Sequence, residues 1–142
     1  MLIWKAERAK NYHKKRLAKL AGSFANAVNQ LASGIHQSAD HKGRLKYLMD
    51  KWWFQLPTAT AILSLLYPDD FTVFDWRVCD ELGIDYEPWH SRGFSDGLWE
   101  YYLLFKKSLE RETPANLSLR DKDRFLIGRS NRKSIVAECV SD

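Results

Sequence analysis

The chain has 142 residues, 45% hydrophobic and 28% charged, which is one domain's worth of sequence with enough apolar side chains to bury a core; disordered and fibrous chains are excluded. Two cysteines, Cys79 and Cys139, are too few for a thiolate metal cluster or a disulfide framework. The longest mostly apolar run, around 59–67, is about half of a membrane span, and no apolar leader opens the sequence, so a cytoplasmic chain with no membrane partner is expected.

Leu17, Leu20, Ala21, Phe24, Val28 and Leu31 recur at helical spacing and predict one amphipathic helix ending near Gly34. A polar connector is expected over His36 to Gly43. Leu45, Leu48, Met49 and Trp52 resume the helical period, and Pro57 opens a short helix from Thr58 to Leu66, because proline suits a first turn whose N–H has no partner. Tyr67-Pro68-Asp69-Asp70 ends it. Phe71 to Phe74 alternates weakly but has no partner strand in sight, so it reads as an extended connector. Asp75 opens a helix through Leu82 that Gly83 closes, and Ile84 to Phe94 reads as a long loop.

Ser95-Asp96 caps a helix whose stripe is Leu98, Tyr101, Tyr102, Phe105 and Leu109, ended by Glu110 to Pro114. Ser118 with Asp121 resembles a capping box for a helix reaching about Ile127, after which Asn131 to Asp142 reads as a short helix or a tail. With five or six helices and no strand pair, the expected class is all-α: a compact single-domain helical bundle over residues 1–142.

The charge is unevenly placed. The net charge is +4, yet residues 1–16 hold six cations (Lys5, Arg8, Lys10, Lys14, Lys15, Arg16) against Glu7, and residues 120–133 hold six (Arg120, Lys122, Arg124, Arg129, Arg132, Lys133) against Asp121 and Asp123. Basic ends around an acidic middle suit a polyanion, and equally suit solvated helix faces.

Histidines 13, 36, 41 and 90 have no metal-ligand spacing, and no phosphate loop or nucleophile elbow is present, so neither metal nor cofactor is expected. His90, in Glu87-Pro88-Trp89-His90-Ser91-Arg92, either lines a pocket or is solvated. Asp75 stands between an extended segment and a helix start, where it can serve as an N-cap, as a projecting carboxylate, or as both. Of the six tryptophans, one or two exposed beside a basic surface can stack on bases.

From Leu56-Pro57-Thr58-Ala59 through Phe74-Asp75-Trp76-Arg77-Val78, the sequence resembles the signature of the helix-hairpin-helix DNA glycosylases, the superfamily of endonuclease III and 8-oxoguanine glycosylase. Their pattern is Leu-Pro-Gly-Val-Gly-x-Lys-x-Ala, an apolar helix, then Val-Asp. Placing the family's alanine on Ala59 puts its catalytic aspartate on Asp75 without a gap. Trp4-Lys5-Ala6-Glu7-Arg8, Tyr67 to Asp75 and Leu117 to Arg124 also resemble a small bacterial branch of that superfamily, so the likeness spans most of the chain.

The departures are specific. Trp53-Phe54-Gln55 replaces the hairpin's Gly-Val-Gly, whose backbone N–H groups hold a DNA phosphate; positive φ is costly without glycine, so whether the phosphate grip stays at this turn or lies elsewhere is open. Pro57 stands where bifunctional members carry the lysine that attacks the sugar, which excludes a Schiff-base lyase there. The four-cysteine cluster is absent.

The resemblance implies a monofunctional DNA N-glycosylase, expected to be a monomer, that flips a damaged or modified base toward Asp75. Lys5, Arg8, Lys51, Arg77, Arg92, Arg120 and Arg124 are candidates for phosphate contacts, and Trp53, Phe54, Gln55, Trp89 and His90 for wedge or pocket. A damaged purine and a bulky phage pyrimidine are both open as the substrate base. The alternatives are a non-catalytic DNA-binding module on the same scaffold and a helical protein-interaction subunit.

Overall fold

The computed structural model describes residues 10–140, and among these there are eight helices and no strand. Helices α1 (Lys10–Ala21), α2 (Phe24–Gln37), α3 (His41–Asp50) and α4 (Leu56–Leu66) pack each on the next along the chain. Helix α5 (Trp76–Leu82) lies against both α7 (Asp96–Arg111) and α8 (Leu119–Val140), and the single turn α6 (Glu87–His90) touches α4.

The first predicted helix is two helices. Gly22 takes φ +81, a left-handed conformation natural to glycine, and Ser23 then caps α2 by accepting the Asn26 N–H at 3.1 Å. The break changes the helical phase. Leu17 is buried, but Leu20 and Val28, which a continuous helix would place on the core stripe, are 55% and 46% exposed.

Three other boundaries move. The polar connector shrinks to residues 38–40, because Asp40 caps α3 by accepting the Gly43 N–H. The long loop contains α6, entered at Glu87-Pro88 with proline where no N–H is needed. The last helix passes Ile127 and runs to Val140, although its buried side chains, Leu119, Lys122 and Leu126, lie in its first turns. Its second half is anchored by charge: Glu81 on α5, whose side chain is 2% exposed, accepts hydrogen bonds from Arg129 and, at 3.0 Å, from Lys133.

Residues 71–75 are extended, as expected, and side-chain hydroxyls do the work of the missing partner strand. The Tyr102 hydroxyl accepts the Thr72 N–H at 3.0 Å and donates to the Thr72 carbonyl at 2.8 Å. The Thr60 hydroxyl accepts the Phe74 N–H at 3.0 Å and donates to the Leu56 carbonyl at 2.8 Å. Thr60, Phe74 and Tyr102 are fully buried, so an unpaired N–H here would be costly; the hydroxyls make the connector a fixed element. Phe71 and Phe74 insert into the core beside Tyr102 and Phe105.

Candidate active site

The turn between α3 and α4 displays one large side chain. Trp52 and Phe54 are buried, whereas Trp53 between them is 75% exposed and has φ +54, the one positive φ outside glycine among the described residues. An L-residue there costs about 1–2 kcal/mol. Contacts on both sides hold it: the Phe54 N–H reaches the Leu48 carbonyl at 3.3 Å, and the Arg16 guanidinium from α1 donates to the Trp52 and Trp53 carbonyls at 2.9 and 3.1 Å. The left-handed residue therefore falls where the hairpin that the sequence resembles has its first glycine. Trp53 takes the positive φ even though it is costly without glycine.

Helix α4 begins directly after this turn. Pro57 brings no N–H, and the N–H groups of Thr58 and Ala59 both return to the Gln55 carbonyl; Gln55 is the N-cap residue but makes no side-chain cap bond. Lys51 extends its ammonium over the rings of Tyr47 and Trp52, 5.4 and 5.9 Å from their centroids. Lys51, Trp53, Phe54 and Gln55 thus share one turn, with Arg16 added to them.

Asp75 ends the fixed connector and caps α5. Its carboxylate accepts the Arg77 N–H at 2.9 Å, lies 3.9 Å from the Arg77 guanidinium, and is 14% exposed. The carboxylate stands close to two other acidic groups. Burial first, and then the Asp75 charge, pushes both the Cys79 thiol and the Tyr86 phenol up to about 12, so both stay protonated at neutral pH. The Arg77 guanidinium also covers Trp76, which is half exposed at the first position of α5.

An aromatic ladder leads outward from this point. Phe74 stacks on Tyr86 at 5.3 Å between ring centroids, and Tyr86 stacks on His90 at 4.8 Å. His90 Nδ1 donates to the Glu87 carbonyl, which fixes the ring's orientation. Trp89 stacks on Tyr101 at 4.3 Å and carries Arg92 on its other contact, at 5.0 Å. Beside the ladder is an open hollow of about 380 Å³ lined by Trp76, Ile84, Tyr86 and Pro88 and by three carboxylates, Asp80, Asp85 and Glu87. Its charge would repel a phosphate.

The candidates therefore fall into two groups: Lys51, Trp53, Phe54 and Gln55 at the α3–α4 turn, and Asp75, Arg77, Trp89, His90 and Arg92 around α5 and α6. Half of the late basic cluster is tied to the fold. Arg129 and Lys133 hold Glu81, Lys122 is buried and donates to the Pro114 carbonyl, and Arg124 pairs with Asp121 at 3.6 Å; Arg120 is exposed in the first turn of α8. Lys5 and Arg8 lie outside the described residues. Sequence reasoning missed Thr60, Tyr86 and Tyr102, whose roles depend on partners 12 to 30 positions away.

Among the described residues, no three His, Cys, Asp or Glu side chains are grouped to hold a metal ion, and no helix is long and apolar enough to cross a membrane. No protein-family model, curated protein or solved structure matches the chain.

Proposed function

We propose that the chain is a monofunctional DNA N-glycosylase that removes a damaged or modified base and leaves an abasic site. One observation carries this reading: a turn with positive φ at Trp53 leads into α4, α4 is bonded through Thr60 to the connector, and the connector delivers Asp75 to the start of α5. The resemblance assigns the first of these parts to a DNA phosphate and the last to catalysis.

In this reading the target nucleotide swings out of the duplex toward Asp75. The carboxylate stabilises the oxocarbenium-like charge that grows on the deoxyribose as the base departs with the bonding electrons, and it accepts a proton from the water that adds to the sugar, the departed base taking up a proton in turn. With Pro57 at the lysine position, the reaction ends in hydrolysis. The aromatic loop from Tyr86 to Phe94 and the hollow beside it set which base enters; a damaged purine and a hypermodified phage pyrimidine are the two substrate classes to offer. The strand's phosphates would lie on the basic α1 and α3–α4 side, and only the base would enter beside the carboxylates of the hollow.

The test is release of base from plain, damaged and phage-modified duplexes, followed by alkali to cut at abasic sites. Cuts on a modified duplex support the proposal, and uncut DNA of all three kinds refutes it.

A second reading, a non-catalytic DNA-binding module, is favoured by the contacts of Asp75 with Arg77, which are those of a helix cap. It predicts DNA binding without base release.

A further inference from the structure

We infer that Trp53 is a nucleotide-stacking side chain, on which an unpaired DNA base lies while the cations around the α3–α4 turn hold the strand. This rests on the reading of the chain as a DNA-binding protein but not on its being an enzyme.

The first argument is conformational. Glycine or asparagine would make this turn at little cost, yet a tryptophan occupies the left-handed position, and a strained non-glycine residue that persists points to a use for its side chain. The second is exposure. The turn buries Trp52 and Phe54 almost completely and turns the largest of the three side chains outward, so Trp53 contributes little to the core.

The third argument is charge. Arg16 donates to the Trp53 carbonyl, and its guanidinium lies over the rings of Phe54 and the exposed Tyr12, at 5.2 and 6.0 Å, which fixes a guanidinium beside Trp53 with a second exposed ring on that guanidinium. Lys19 lies one helical turn beyond Arg16 on α1, and Lys51 is two residues before Trp53. Aromatic faces among cations are what a flexible nucleic-acid strand requires: stacking tolerates any base, and the cations meet the phosphates.

The experiment is an anisotropy titration of a labelled single-stranded oligonucleotide, and of the same strand annealed to its complement, with the native chain, Trp53→Gly and Trp53→Phe, alongside the melting temperature of each protein. Trp53→Gly is expected to melt no lower than the native chain, because glycine relieves the strain, and to bind the single strand about tenfold more weakly. Trp53→Phe should stay within about threefold of native. Equal binding by native and Trp53→Gly would overturn the inference while leaving the DNA reading in place. Failure of the native chain to bind either oligonucleotide would overturn both. Trp53-dependent binding with no base release would uphold the inference and refute the enzyme.

Discussion

Replacing Thr60 with valine removes one hydroxyl and leaves the shape of the side chain. The hydroxyl accepts the Phe74 N–H at 3.0 Å, and both residues are fully buried, so the variant strands an amide donor where water cannot reach it. The Leu56 carbonyl loses less, because it keeps its place in the helical ladder. A buried unsatisfied donor costs about 1–3 kcal/mol, so about 2 kcal/mol is expected here. For a chain of this size, that lowers the melting temperature by about 8 °C. Thr60→Ser keeps the hydroxyl and loses one methyl, about 1 kcal/mol. Thermal unfolding followed by circular dichroism should therefore rank native above Thr60→Ser above Thr60→Val. A Thr60→Val protein as stable as the native chain would refute the claim that this hydroxyl fixes the connector that carries Asp75.

Glu81→Gln should destabilise the chain by about 1–2 kcal/mol near neutral pH, a value reduced because Arg129 and Lys133 are 39% and 66% exposed. The hydrogen bond from Lys133, with that from Arg129, holds the Glu81 carboxyl below its ordinary value of 4.5. Its stabilisation is thus complete above the unfolded value and is lost as pH falls through the lower folded value. Melting curves of the two proteins should separate at neutral pH and converge well below pH 4.5; a gap independent of pH would contradict the clamp. Gly83→Ala should cost about 1 kcal/mol, since φ is +65 and no atom lies within 4 Å of the added methyl, so the cost is purely conformational. An unchanged urea midpoint would show that Gly83 is not held in the left-handed region.

Local chemistry made much of the fold legible. Ser95 caps α7 as its sequence suggests, Gly83 closes α5 in the left-handed conformation, and Leu98, Tyr102, Phe105 and Leu109 are the buried stripe of α7. Asp75 could be placed at a helix start because extended residues precede it and helical spacing follows. What escaped was long-range or charge-driven. The connector is stabilised by hydroxyls 14 and 30 residues away, which no local period announces. In the second half of α8 the apolar Ile135 and Val136 are exposed, and this half is held to α5 through Glu81. At Gly22 the signal was present, a glycine followed by a capping serine, but the apolar spacing across it outweighed it. At the α3–α4 turn the sequence argued against positive φ; the Arg16 guanidinium that bonds two of its carbonyls comes from another helix.

The central claim is that Asp75 does chemistry beyond capping α5, and Asp75→Asn tests it most directly, because asparagine caps a helix about as well as aspartate. The measurement is the single-turnover rate of base release from a modified duplex by the native and Asp75→Asn proteins, with DNA affinity and melting temperature determined on the same preparations. The account predicts a fall of at least about a hundredfold in rate with affinity and stability little changed. Equal rates for the two proteins would contradict it and leave Asp75 a cap.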